Sequence, residues 1–411
     1  MKYYLKFAWR NLWRNKRRTL LATSSIFFAL LLACIYRATQ SGQHEYMVQM
    51  SVSMYTGYLQ IQEKEYWDER SFDHSFEPAD SLRSILSHNS HITLINPRIE
   101  SVALVSQHQE TRITPVMGID PASESAMSGL RKKIVKGMYL TDSSQGILIS
   151  EGLAERLQVG VGDSVVLFGQ GYQGATAAEQ LPIEGIVHFP IPKMNNAMVY
   201  LSLSKAQELF NAYNRVTSVA LMVDNAKKVK TIQSDLSKLL NKNLVVMNWE
   251  EMSPEVVQAI EADVAGEVII MFILYVVIGF GVFGTVMMMT IERAREFGLL
   301  ISLGMKRGRL LLVATIESLL ISMLGAVAGT AVAFPLIYYF YVHPIYVQGD
   351  FAEMMNMYGF EPIIPVSIDT LVFTSQTIVV VVIAIISSVY PFFFIKNIKP
   401  VSALQGRGGG K

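Results

Sequence analysis

The chain has 411 residues, 51% of them hydrophobic and only 17% charged, with a formal net charge of +1 and a mean hydropathy of +0.32. That average excludes an ordinary soluble protein, and the near-neutral balance gives no reason to expect a nucleic-acid partner. The single cysteine, Cys34, excludes a disulfide-stapled fold, so a domain outside the membrane must hold on its apolar core alone.

In chain order, residues 1–18 predict a cytoplasmic interfacial amphipathic helix. Lys2, Lys6, Arg10 and Arg14 recur every four residues, and Tyr3, Phe7, Trp9 and Trp13 supply aromatics suited to a membrane surface. An apolar run over 19–41 follows, read as an uncleaved anchor rather than a signal peptide because no clean small-x-small site follows it. The composition then changes, and 42–263 predicts an α+β extracytoplasmic domain. Strands are expected near 57–62, 98–108, 112–119, 146–150, 164–168, 181–188, 197–201, 218–223 and 244–248, and helices near 78–87, 151–157, 204–211 and 226–240. Residues 169–180 read as a loop. Residues 120–200 read as a mostly-β subdomain inserted into a flanking strand–helix–strand unit. The second helix-compatible stretch, from 255, runs without a break signal into the next apolar run.

Three further apolar runs, 264–291, 310–341 and 371–395, each exceed the about 20 residues that a helix needs to cross a bilayer, giving four transmembrane helices in all. Basic residues crowd residues 2–18, the connection 292–309 and the tail 396–411, with Lys396, Lys399, Arg407 and Lys411. The outer loop 342–370 instead carries Asp350, Glu353, Glu361 and Asp369 and no Lys or Arg. Basic flanks stay on the cytoplasmic side, so both termini are expected inside and the large domain outside.

The connection 292–309 has more pattern than a turn needs. Phe297, Leu300, Ile301 and Leu303 can share an apolar stripe while Arg293, Arg295 and Glu296 stay wet, which predicts a short surface helix. It is expected to end near Gly304, before the basic cluster Lys306, Arg307 and Arg309.

The remaining motifs mostly dissolve on inspection. Residues 279–284 match the dinucleotide pattern GxGxxG but lie mid-span, away from any strand and turn. Gly281 and Gly284 are read instead as helix-packing positions, like Gly325 and Gly329 of a GxxxG. His44-Glu45 opens like a zinc-protease helix, yet Val48 occupies the second histidine position, and the seven histidines show no ligand spacing. No metal site, phosphate cradle or catalytic residue is expected. Glu317 is an acid inside the third span. Intramembrane acids are commonly functional or paired; alternatively this one snorkels to the cytoplasmic face or pairs with Arg309 or a neighbouring helix.

Taken together, FAWRNLWRNKRRT, RAREFGLLISLGMKRGRL, ESLLISMLGAVAG and the ending IKPVSAL resemble the FtsX-like permeases, the membrane subunits of ABC transporters of the MacB and LolC/LolE type. The segments RITPVMGIDPASE, GMYL and GILISEGLAERLQVGVGDSVVL resemble the lipoprotein-releasing LolC/LolE branch most. The resemblance implies a MacB-like mechanotransmission architecture with an outer domain of Porter and Sabre type. It makes 292–309 a coupling helix, with Arg293, Arg295, Glu296, Phe297, Leu300, Gly304 and Met305 at the contact with a cytoplasmic ABC ATPase dimer. It also implies a second permease, identical or paralogous, and a periplasmic carrier or adaptor protein. ATP and Mg would belong to the ATPase, leaving this chain non-catalytic and without a cofactor. The implied work is lipoprotein release from the inner membrane or export of a hydrophobic substrate; the alternative is a signalling scaffold that controls a periplasmic cell-wall hydrolase or sensor without transport.

Overall fold

The computed structural model describes residues 2–14, 16–107, 109–357, 362–387 and 389–397. The expectations for the tail beyond Asn397, including IKPVSAL, lie outside the described residues. The chain divides into two compact units: one of residues 47–259 and 346–362, the other of the apolar segments, residues 1–46, 260–345 and 363–411.

The first unit is built on ten strands: β1 (Leu59–Glu63), β2 (Ile92–Gln107), β3 (Glu110–Ile119), β4 (Ile134–Gly137), β5 (Ile147–Ser150), β6 (Ser164–Gln170), β7 (Thr176–Val187), β8 (Val199–Ser202), β9 (Ser218–Val223) and β10 (Leu244–Asn248). Their order is β10-β1-β9-β2-β3-β8-β5-β7-β4, with β6 closing between β2 and β7. Strand β2 explains the topology. Its first half pairs antiparallel with β9, while its second half pairs with β3 on one edge and with β6 on the other. The strands β2-β3-β8-β5-β7-β6 therefore form a closed ring in which each strand has a neighbour on both edges over part of its length. Ile99, Val105, Val116, Ile149, Leu167 and Ile183 are buried in its core.

The strands β10-β1-β9 and the first half of β2 form an open sheet with a second core. The helices Asp80–His88 and Val229–Leu239 bury Leu82, Leu86, Ile232 and Leu236 there, against Leu59, Ile61, Val219 and Val246. Each such side chain contributes roughly 1.5–3 kcal/mol by leaving water. The interleaved order β10-β1-β9-β2 joins residues from both ends of the unit, as a flanking unit with an insertion requires. The expected subdomain boundary at 120 needs correction, because β2 and β3, which precede it, are members of the ring. Residues 169–180 also differ from expectation. Residues 169–170 end β6, and from Thr176 onward the segment is strand, part of seven consecutive residue pairs of 176–182 with β6; its small and polar residues concealed the strand that buries Ala177.

The second unit is helical: α1 (Lys2–Arg14), α2 (Lys16–Ser51), α3 (Pro254–Glu292), α4 (Ala294–Ser302), α5 (Arg307–Val342) and α6 (Thr370–Ser387), followed by Val389–Asn397. Among the described residues, four helical stretches are long and apolar enough to cross a membrane. Helix α3, with 39 residues, is roughly 58 Å long at 1.5 Å per residue, about twice the thickness of a bilayer's hydrocarbon core. Helices α2 and α3 are held together by the ion pair of Arg37 with Glu267 and, two turns on, by His44 and Asp263 at 2.6 Å. Helix α2 crosses α5 at Gly325 and Gly329, where an added Cβ would come within 2.8 Å of Ile26 and 3.1 Å of the Phe27 carbonyl oxygen. The small residues thus let two backbones approach, as the GxxxG spacing predicts. Gly281 and Gly284 do not share this role within the chain. A Cβ on Gly281 would make only an ordinary contact with Ser25, and one on Gly284 would meet nothing within 4 Å.

Candidate functional site

The connection between α3 and α5 brings buried charged side chains into a line that reaches the surface. Helix α3 ends at Glu292 and α4 begins at Ala294, so a single non-helical residue, Arg293 (φ −94°, ψ 6°), turns the chain. Helix α4 ends in a Schellman motif. The Gly304 N–H donates to the Ile301 carbonyl, the Met305 N–H donates to the Leu300 carbonyl at 3.0 Å, and Gly304 adopts φ +90°. Met305 and Leu300 both pack on the cluster below, which is the hydrophobic contact this cap calls for. Gly304 and Met305, expected at a partner contact, thus have a capping role that a glycine at positive φ serves best.

The inward face of α4 is Ala294, Phe297 and, in part, Leu300 and Ile301, against Leu310, Ala314 and Ile395. Phe297 is 4% exposed. The outward face is Arg295, Leu299 and Leu303, with the two leucines 51% and 75% exposed, and it continues into exposed Lys306 and Arg309. The expected stripe is therefore divided: Phe297 holds the helix down, while Leu303 faces out. Leu299, missed in the sequence, joins it. The signal was there, since Arg295, Leu299 and Leu303 are spaced four apart, but the stripe was assigned to a single face without a helix packing underneath to say which residues it takes.

Arg293 is the larger correction. Read as a wet residue, it is only 6% exposed and forms a short ion pair with Glu317, itself 2% exposed, on α5. The Arg293 Nε donates to Glu296 Oε2 at 3.2 Å, and the guanidinium lies 5.4 Å from the Phe297 ring centre. Glu296 in turn accepts from Arg14 Nη2 at 2.9 Å. Arg14, Glu296, Arg293 and Glu317 thus form a continuous line of alternating charge from α1 through α4 into α5. Of the alternatives for Glu317, pairing with a neighbouring helix is the one found, through Arg293 at the start of α4; Arg309 is exposed. Burying both charges is tolerable because each has its opposite within hydrogen-bond reach; removing one partner leaves an uncompensated charge. Helix α1 rests on α5 through buried Ala8 and Leu12, which places Arg14 at the end of this line.

The α/β unit has its own buried charge. Arg98 Nη2 lies 2.5 Å from Glu124 Oε2, the Arg98 Nε donates to the same oxygen at 2.9 Å, Asn96 Nδ2 donates to it at 2.8 Å, and Arg98 also donates to the Tyr55 carbonyl. Burial pulls the Arg98 guanidinium down, but Glu124 and Glu100 beside it more than offset this and hold it above its ordinary value. Glu100 accepts from Gln60 at 2.8 Å, Ser218 at 2.9 Å and Tyr55 at 3.1 Å. Burial and the Glu100 carboxylate push the Tyr66 hydroxyl up; the same carboxylate, then burial, push up that of Tyr55. These hydrogen bonds tie β1, β2 and β9 to one another and make the network a frame of the fold, although Gln60 Oε1 is buried without a hydrogen-bond partner and Tyr55, Tyr66 and Glu100 line a cavity beside it.

Two family models match this chain. The family model described as "MacB-like periplasmic core domain" matches residues 22–239, and that described as "FtsX-like permease C-terminal" matches residues 268–400. Among curated relatives, the lipoprotein-releasing system transmembrane protein LolC of Xylella fastidiosa is 24% identical over 245 residues, 57% of this chain and 58% of LolC. The uncharacterized ABC transporter permease YknZ of Bacillus subtilis is 26% identical over 243 residues, 55% of this chain and 58% of YknZ. The match thus spans 58% of the length of both relatives. Among solved structures, the periplasmic region of MacB from Actinobacillus actinomycetemcomitans aligns at TM-score 0.35 and 16% identity, over 50% of this chain and 94% of that one. With the first family model covering more than half of the chain and the second most of the remainder, the chain belongs to the FtsX-like permeases with a MacB-like periplasmic core domain.

Proposed function

We propose that this chain is the permease subunit of an ABC transporter, with α4 as the coupling helix on which a separate cytoplasmic ATPase dimer docks. The observation that carries this reading is the two-sidedness of α4. Its inner face is fixed to α5 by Phe297 and the Arg293–Glu317 pair, and its outer face offers Arg295, Leu299 and Leu303. An exposed apolar pair beside basic residues fits a partner better than it fits water. ATP and Mg are bound by the partner, and this chain does no chemistry. It resides in the inner membrane with both termini cytoplasmic and the α/β unit periplasmic, next to a second permease of the same or a paralogous kind.

Force applied to α4 enters α5 through Arg293 and Glu317 and α3 through the one-residue turn. Helix α3 carries it outward without a break, braced against α2 by the Arg37–Glu267 and His44–Asp263 pairs. The substrate class this serves best, given the LolC relative, is a lipid-anchored protein leaving the outer leaflet for a periplasmic carrier.

The test is co-purification of the ATPase with Leu303→Asp and Leu299→Asp. Both positions are exposed, so the variants insert and fold as the wild type does. Loss of the ATPase supports the docking face; an ATPase that stays bound to both variants removes it. Reconstitution then separates outputs: ATP-driven release of a lipid-anchored protein supports transport, whereas activation of a cell-wall hydrolase without release would replace transport by signalling.

A further inference from the structure

A grouping that histidine spacing alone did not reveal lies where β1 leaves the open sheet. Glu63 ends β1, Glu65 precedes the short helix Tyr66–Glu69, and His74 ends the single turn Phe72–His74. One oxygen each from Glu65 and Glu69 and one ring nitrogen of His74 lie within 4.8 Å of one another. His74 Nε2 is 2.8 Å from Glu69 Oε2 and 4.0 Å from Glu65 Oε2. On the opposite side of the ring, Nδ1 is 3.8 Å from Glu63 Oε2.

We propose that Glu65, Glu69 and His74 form a divalent-cation site suited to zinc, with Glu63 as the positioning carboxylate behind the histidine. Three features carry this. The donor set is mixed, one imidazole nitrogen with two carboxylates, a combination that suits zinc and is poorly suited to calcium or magnesium. Metal-bound histidines characteristically give their other ring N–H to a carboxylate, which fixes the tautomer with a lone pair toward the metal. Glu63 Oε2 lies on that side of the ring, 3.8 Å from Nδ1, so a shift of under about 1 Å would bring it into hydrogen-bond reach. Finally, donors at about 2.0–2.1 Å from a tetrahedral zinc are roughly 3.3 Å apart, and the distances from Nε2 to the two carboxylates, 2.8 and 4.0 Å, bracket this value. Small side-chain shifts would seat the ion, with water completing the shell.

The segment is also held still. Tyr66 and Phe72 are buried on either side of the reversal, and the Tyr66 hydroxyl donates to the Glu100 carbonyl at 3.1 Å. Arg70 makes the reversal at φ +51°, with its guanidinium 3.8 Å from the Trp67 ring centre and bonded to Glu100. Asp73 accepts from the Gln173 backbone N–H at 3.0 Å, which ties the turn to the loop between β6 and β7.

The experiment is Zn2+ titration of the full chain, metal-stripped in detergent, against a competing chelator, with Ca2+ as the control cation. The wild type is expected to take up one Zn2+ that is weakened at least tenfold in Glu65→Gln, Glu69→Gln and His74→Ala. Glu63→Gln, which acts through the histidine, is expected to weaken it by about 10- to 100-fold. Glu65 is 70% exposed at its side chain, so its replacement leaves the fold intact and keeps the test valid if His74→Ala unfolds. Zn2+ uptake equal in the wild type and Glu65→Gln, or a site that prefers Ca2+, overturns the proposal.

Discussion

Each unit of this protein buries an arginine–glutamate pair, and the two pairs are built differently. Arg98–Glu124 is closed: Glu124 Oε2 receives both Arg98 and Asn96, Arg98 also reaches the Tyr55 carbonyl, and both side chains are shut off from solvent. Arg293–Glu317 is open. Arg293 is shared with Glu296, Glu296 with Arg14, and this last pair lies at the surface. A closed pair can only hold one geometry, whereas an open line can pass a displacement at its exposed end to its buried one. Under the proposed function, the difference separates a framework element from a transmitting one, although the residue types are the same.

The largest effect is expected where the pair is closed. Glu124→Ala removes the carboxylate that Arg98 hydrogen-bonds, leaving only Glu100 to offset a fully buried charge, and should cost about 3–5 kcal/mol, read as a fall in thermal unfolding temperature. Arg98→Met combined with Glu124→Leu should recover most of it. Glu317→Gln should cost less, about 1–3 kcal/mol, because Arg293 keeps Glu296. Equal losses at the two sites would erase the distinction between them. Packing gives an internal control of similar size: Gly325→Leu, which drives a side chain into Ile26, should cost about 1–3 kcal/mol, while Gly284→Leu should leave monomer stability unchanged. The smallest effect is Arg14→Ala. This exposed, screened pair contributes about 0–1 kcal/mol, so the variant should unfold like the wild type while still shortening the line of charges.

A pH dependence sharpens the account of the α/β unit. The hydrogen bond to Glu69 and the nearby carboxylates Glu63 and Glu65 outweigh burial and raise the His74 pKa above its ordinary value. Its folded pKa exceeds its unfolded one, so its contribution is complete below about 6.5 and is lost as pH rises through the folded value. Relative to His74→Gln, the wild type should therefore gain stability on acidification from pH 8 to pH 6 in metal-free buffer. A difference independent of pH would mean that His74 does not gain this partner.

Most of the architecture was legible in the sequence because its signals are local. Span lengths, the 3.6-residue pattern of 229–239 and the two-residue alternation of β9 depend only on neighbours along the chain. The ring boundary was not legible, since β2 belongs to two sheets at once and nothing within Ile92–Gln107 marks where one gives way to the other. At the candidate site, the helix and its cap at Gly304 could be read, but which face of α4 is buried is set by α5 and Ile395, distant in sequence. Arg293 was misread for the same reason. Its partner Glu317 lies 24 residues away, and sidedness rules count a base near a span as surface charge whether or not an acid awaits it.

The central claim is that the Arg293–Glu317 link carries work from α4 into the membrane, and it is tested by measuring ATP hydrolysed per lipid-anchored protein released in proteoliposomes of the complex. Glu317→Gln should retain the ATPase and its hydrolysis while release per ATP falls at least tenfold. Release per ATP equal to the wild type, with the ATPase bound, would contradict the account.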